Sequence, residues 1–321
     1  MKLGKIPENV LKRSILKKIV DKRSEVLVGA GVGEDCAFLR GPGTGSIALS
    51  TCTLLRGFEG FYRVINNLAA SGAKATGVLV NLTLPSSFEE ADLKALMDKL
   101  TAKCKEADVA LLGGHTEVSS LVNAPIVSIT AVGESEKPVK TGNAKPGNDL
   151  VLTKWIGLEG TAILTRERKE ELLKKFPDRY IYDAENFDKL LSVVPEAATA
   201  IKSGVTAMHD LSTGGVFSGL WELAESSGVG LITDLRAIPV KQETIEICNY
   251  FDINPYELAS AGALLIACED GEKLLMDLNK EGFEATIIGK VTDSNDRVVV
   301  NGDITRFLEP SKTDEILKVI Q

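Results

Sequence analysis

The sequence is short of histidine, of long apolar runs and of positive charge, and each shortage removes a class of function. Only two histidines occur in 321 residues, His115 and His209, too few for a histidine-rich transition-metal centre. No apolar stretch approaches the roughly 18–20 residues that span a bilayer. The opening Met1-Lys2-Leu3-Gly4-Lys5 is not followed by an apolar signal core. These absences predict a cytoplasmic protein with no membrane partner. Lys and Arg number 37 against 45 Asp and Glu, a net charge of −8, which argues against nucleic acid because backbone binding needs clustered cations. The five cysteines, Cys36, Cys52, Cys104, Cys248 and Cys268, are odd in number and contain no C-x-x-C pair. That excludes a disulfide framework or a zinc site and points to reduced thiols. Also missing are the G-x-x-x-x-G-K-[ST] phosphate loop, a G-x-G-x-x-G fingerprint in βαβ context and a serine in a nucleophile elbow.

What is present suits a two-domain globular chain, with 44% hydrophobic and 26% charged residues. Apolar spacing predicts a basic amphipathic helix over 8–20 carrying Leu11, Ile15, Leu16 and Ile19. A strand over 47–51, a helix over 62–71 and a strand over 75–84 follow. Ser87 opens a helix to about Lys105 with Glu89 and Glu90 in its first turn. Strands are expected at 109–112 and 126–132. The turn Lys145-Pro146-Gly147-Asn148 marks a boundary between domains 1–146 and 147–321. Beyond it, strands are expected at 150–153, 205–208, 229–233, 263–268, 284–291 and 297–300, with helices at 159–176, 186–203, 214–227, 241–250 and 271–281. Mixed strands and helices throughout give an α/β or α+β class.

Four loops could carry chemistry. In Gly31-Val32-Gly33-Glu34-Asp35 adjacent carboxylates after glycines could hold a hard cation, or simply form a solvated acidic turn. In Gly113-Gly114-His115-Thr116-Glu117 a strand ends in two glycines that let backbone N–H groups approach a ligand; the bland reading is a β-turn with a polar tip. In His209-Asp210-Leu211-Ser212-Thr213-Gly214-Gly215 a capped helix start offers an anion site beside an acid, or an ordinary cap. Lys154 sits between a strand and the helix start Gly157-Leu158-Glu159-Gly160, where it could reach a phosphate or lie exposed. Asn66-Asn67 reads most simply as a polar helix face.

Taken in order, these loops resemble the superfamily of aminoimidazole-ribonucleotide (AIR) synthetase, the hydrogenase-maturation protein HypE, thiamine-monophosphate kinase and selenophosphate synthetase, and they look most like the HypE branch. The matching stretches include Leu3-Gly4-Lys5-Ile6-Pro7, Val32-Gly33-Glu34-Asp35-Cys36-Ala37, Leu68-Ala69-Ala70-Ser71-Gly72-Ala73, Gly113 to Val118, Gly157 to Ala162, Ala207-Met208-His209-Asp210 and Asn254 to Ser260. The resemblance implies an AIR-synthase-like fold: an N-terminal sheet domain that dimerises with its twofold mate, and a C-terminal α/β sandwich domain. It implies ATP and Mg2+ as cofactors, transfer of phosphate to an oxygen of a small-molecule or carbamoyl acceptor, and a maturation partner protein. Carried over by position, Asp35 and Asp210 would be catalytic acids and, with Glu34, metal ligands. Gly113, Gly114, His115, Thr116, Thr213, Gly214, Gly215 and Lys154 would bind nucleotide.

Three positions depart from the family pattern. Cys52, Asn67 and His115 stand where acids are usual, and a soft thiol is a poor magnesium ligand. HypE ends in a reactive cysteine, whereas no cysteine follows Cys268 here. Two functions therefore stay open: an ATP-dependent enzyme with an altered site, and a non-catalytic nucleotide- or partner-binding relative.

Overall fold

A computed structural model describes residues 3–19, 23–54, 60–309 and 313–320. The chain divides into two units. One comprises Arg23–Gly29 with Asp35–Pro138; the other comprises Met1–Lys22, Ala30–Glu34 and Val139–Gln321. The basic helix expected over 8–20 is α1 (Glu8–Ser14), followed by a single 3-10 turn at Leu16–Lys18.

The smaller unit is built on one six-stranded sheet of β1 (Val26–Val28), β2 (Ala37–Arg40), β3 (Ser46–Leu54), β4 (Lys74–Leu84), β5 (Ala110–Val118) and β6 (Ile126–Ser135), in the order β1-β2-β3-β6-β4-β5. Every pair is antiparallel except β4 with β5. A parallel pair needs a crossover, and α3 (Glu90–Glu106) supplies it. α2 (Phe61–Ala70) buries Phe61, Tyr62, Val64, Ile65 and Leu68 against β3, β4 and β6. That apolar row at helical spacing is what predicts it. α3 starts at Glu90 rather than Ser87, because Pro85 accepts a turn bond from Phe88 N at 3.0 Å and the helix cannot begin inside that turn. β1 and β2, on either side of the Gly-rich stretch over 29–33, were not expected from the sequence.

β5 corrects a second expectation. It does not end at Gly113 but runs to Val118, paired in parallel with β4 through Asn81↔His115 and Leu82↔Thr116. β4 offers eleven residues of edge, and the glycines let β5 keep following it. At Gly114 (φ +150°) a Cβ would lie 1.7 Å from Val80 O, so the strands approach too closely there for any side chain.

The larger unit holds a seven-stranded sheet of β7 (Asp149–Thr153), β8 (Val205–Asp210), β9 (Gly230–Asp234), β10 (Leu264–Cys268), β11 (Ala285–Thr292), β12 (Arg297–Asn301) and β13 (Ile304–Phe307), ordered β13-β12-β9-β11-β7-β10-β8. Only β9 with β12 is parallel. The helices are α4 (Leu158–Glu167), α5 (Lys169–Leu172), α6 (Asp178–Glu185), α7 (Val194–Ser203), α8 (Gly215–Ser227), α9 (Gln242–Phe251) and α10 (Gly271–Lys280). The single helices expected over 159–176 and 186–203 are each broken. Arg168 leaves helical geometry (φ −118°, ψ 24°), and Pro195 stands at the start of α7, where its missing N–H is harmless. One core joins Leu150, Leu152, Leu231 and Leu265 of the sheet to Val216, Leu220 and Leu223 of α8. A second gathers Ile163, Leu164, Ile181 and Ile247 with Ile316 and Ile320 of the C-terminal segment.

Candidate functional site

In the smaller unit the chain brings Asp35 to β3 and α2. Ser50 Oγ donates to Asp35 O at 3.0 Å, and Asn67 Nδ2 donates to Ser50 Oγ at 3.0 Å. Strand alternation puts half-buried Cys52 on the same face as Ser50, while Thr51 points the other way and bonds Ile129 O. Asp35, Ser50, Cys52 and Asn67 thus share one side of the sheet. The carboxylate of Asp35 is the single acid of that group. Two of the three positions that depart from the family pattern, Cys52 and Asn67, fall beside the retained one.

The third does not. His115 lies on β5, and β4 and β6 stand between it and β3, about 14 Å at the usual strand spacing. Gly113, Gly114, His115 and Thr116, expected in a turn, are exposed along an edge strand. His115 Nε2 faces Glu117 Oε2 at 3.5 Å, both side chains more than half exposed. Glu34 belongs to the larger unit's Ala30–Glu34 segment. There Gly33 adopts φ +72°, and a Cβ would lie 2.9 Å from Glu222 O, so this loop packs tightly on α8.

In the larger unit, β8 ends in His209 and Asp210, each 2% exposed. His209 Nε2 meets Glu222 Oε2 at 3.1 Å and its Nδ1 meets Thr141 Oγ1 at 3.4 Å. Glu222 also pairs with Lys5 through Oε1. Burial alone would raise the Glu222 carboxyl, but the His209 hydrogen bond and the Lys5 ammonium overcome it and hold it at about 2. Asp210 sits opposite Leu264 of β10, and Thr153 Oγ1 accepts from Leu264 N at 3.0 Å. The ends of β7 and β8 are therefore neighbours across β10.

Lys154, which follows β7, does not reach outward to a phosphate as the sequence suggested. It is buried, its Nζ lies 2.6 Å from Glu196 Oε1, and it donates to Ser192 O at 2.5 Å. Burial lowers its ammonium, opposed by Glu196 and more weakly by Asp210. Its φ of +51° is a left-handed conformation that costs a side-chain-bearing residue about 1 kcal/mol or more. The fold holds that strain to keep the ammonium on its internal carboxylate.

The start of α8 is a further correction. Neither Ser212 nor Thr213 caps it; Gly214 does, at φ +83° with no side-chain cap bond. Gly214 N instead donates to Asp314 Oδ2 at 2.7 Å, and Asp314 Oδ1 accepts from Ala259 N at 3.3 Å and Ile316 N at 3.0 Å. At Gly214 the helix-start amide thus meets a carboxylate of the chain itself. The neighbouring loops knit to the same place, with Ser260 N bonded to Ser212 O and Gly157 N to Ser260 Oγ. Asp314, Glu222 and Thr141 were missed from sequence. Asp314 alone carried a readable signal, an acid just before a helical turn.

Among the described residues, no group of three or more His, Cys, Asp or Glu could hold a metal ion. The donors around Asp35 are one carboxylate, a hydroxyl and an amide. That set is poor for a dedicated ion, but it fits magnesium arriving on nucleotide phosphates, which needs only one or two protein carboxylates.

Two family models match the chain: AIR synthase related protein, N-terminal domain, over residues 33–135, and AIR synthase related protein, C-terminal domain, over residues 145–301. A putative hydrogenase expression/formation protein of Methanocaldococcus jannaschii is 29% identical over 75% of this chain and 72% of its own length. The carbamoyl dehydratase HypE of Azotobacter vinelandii is 30% identical over 73% of this chain and 69% of its own. Among solved structures, that of a HypE–HypF complex aligns with TM-score 0.72 at 23% identity, over 87% of this chain and 94% of that one. HypE in complex with ATP aligns with TM-score 0.70 at 16% identity, over 96% of both. The chain belongs to the AIR synthase related protein family, whose members similar to it include proteins named as carbamoyl dehydratase HypE and as thiamine-monophosphate kinase.

Proposed function

We propose that this protein is a HypE-like, ATP-dependent enzyme that uses ATP and Mg2+ to phosphorylate a carbamoyl or other small-molecule acceptor. The observation that carries the reading is the Asp35–Ser50–Asn67 chain of hydrogen bonds, which holds the backbone of Asp35, the retained acid, beside the face that also bears Cys52. A relative of the same fold was solved in complex with ATP, which supports the choice of nucleotide. Magnesium, when bound, would neutralise phosphate charge and orient the transferring group. Asp35, with Glu34 beside it in sequence, and Asp210 would be its candidate acids. Thr116 and the glycines of β5 would contribute polar edge groups.

We further propose two domains meeting near 146/147, a homodimer and a cytoplasmic location. β5 exposes nearly its whole length, including Leu112 and Val118, and among the described residues pairs on one side only. An open edge of that length is a template for pairing, and a second copy would cover it. A maturation protein is a fitting further partner, since HypE was solved in complex with HypF.

Calorimetric titration of ATP with and without Mg2+, followed by phosphate release, tests the reading. Magnesium-dependent binding weakened by Asp35→Asn and by Asp210→Asn is expected, and absence of any magnesium-dependent binding refutes it. That negative result would favour the second reading, a non-catalytic binding relative. It is the reading favoured by the replacement of two acids beside Asp35 with Cys52 and Asn67.

A further inference from the structure

The N-terminal segment makes contacts that the proposed reaction does not use. α1 is seven residues long and buries none of them. A helix of that length does not persist alone in water, so it forms only because it is docked. What docks it is charge. Lys5 pairs with Glu222, Glu8 accepts from Trp221 Nε1 at 2.7 Å, and Lys12 bridges Glu8 (2.5 Å) and Glu225. Each of these partners on the other side lies on α8. Of its apolar side chains, Leu3, Ile6, Ile15 and Ile19 are exposed, while Val10, Leu11 and Leu16 are half-buried and none is fully buried.

The same segment grips the loop that precedes α8 from two directions. Through Glu222 it reaches His209, at the end of β8 where that loop begins. Through Leu3 O, which accepts from Thr313 Oγ1 at 2.9 Å, it holds the residue next to Asp314, whose carboxylate takes the Gly214 amide. Gly4 packs against Thr313 and Leu317 at the same place.

We propose that residues 3–14 form a charge-latched strap, and that its docking on α8 is coupled to the order of the His209–Gly215 loop. Surface ion pairs are individually weak and screened by salt, so a strap held by them opens far more often than the core unfolds. Coupling is reciprocal: whatever fixes the loop closes the strap, and releasing the strap loosens the loop. The inference concerns these two elements alone and does not depend on whether ATP binds.

Hydrogen–deuterium exchange on the full chain tests it. Raising salt from about 0.05 M to about 0.5 M shortens the screening length about threefold and should speed exchange of the α1 amides on the order of tenfold. The amides of Leu211, Gly214 and Gly215 should follow in the same direction, while Ile247 in α9 stays unchanged. At low salt, Glu225→Gln should reproduce the faster α1 exchange, and Lys5→Gln should speed both α1 and the loop. Salt-independent α1 exchange, unaffected by Glu225→Gln, would overturn the latch. Opening of the strap with Leu211, Gly214 and Gly215 unchanged would overturn the coupling.

Discussion

Acid should remove the stability that the Glu222 carboxylate contributes, and the amount is calculable. The carboxyl lies about 10% exposed between His209 and Lys5 and is held at about 2 against an ordinary 4.5. At roughly 1.4 kcal/mol per pH unit this corresponds to about 3 kcal/mol of stability. The Lys5 ammonium is 44% exposed, and solvent screening of that partner brings the figure nearer about 2 kcal/mol. Because the folded value is depressed, the contribution is complete above pH 4.5 and is lost as pH falls toward 2. Urea unfolding of the wild type and of Glu222→Gln at about pH 7, 4 and 3 measures it. The wild type should be the more stable by about 2 kcal/mol near neutrality, with the gap closing as the solution is acidified. A gap that does not change with pH would mean that the His209–Glu222–Lys5 arrangement contributes no charge-dependent stability, and the electrostatic account of the strap's anchor would fall with it.

Three further outcomes follow from other parts of the molecule. Lys154→Met should cost about 3–5 kcal/mol in urea unfolding, because it strands Glu196 as a buried charge; pairing it with Glu196→Leu should recover much of the loss. Gly114→Ala should detach β5, since its Cβ would sit 1.7 Å from Val80 O. Exchange protection would then collapse along Ala110–Val118 and persist in β7 and β10. Cys52→Asp together with Asn67→Asp should tighten magnesium about tenfold or more in a calorimetric titration by restoring anionic oxygens beside Asp35; unchanged affinity would mean that those positions do not face the metal.

What the sequence made legible was local. α2 and β10 announce themselves, one by an apolar row at helical spacing, the other as the unbroken apolar run Leu264–Cys268 of a strand buried along its whole length. The order of motif loops was enough to identify the family and the two-sheet fold. β5 was cut short because glycine pairs usually mark turns. Here they allow close strand approach instead, which depends on β4 and cannot be seen within the segment. The breaks at Arg168 and before Pro195 were absorbed into longer helices because the apolar spacing continues across them.

The candidate site was legible as a set of positions but not as a set of partners. Lys154 and Gly214 were read as groups waiting for a ligand, because nothing near them in sequence satisfies an ammonium or a helix-start amide. The fold satisfies both. Asp314 stands 100 residues from the Gly214 amide it accepts from, and Lys5 stands 217 from Glu222. Short motifs report which residues can bind an anion or a cation; they do not report whether the chain has already spent that capacity on itself. At Asp35 the backbone carbonyl accepts from Ser50 Oγ, 15 residues on, a link that the motif itself does not show.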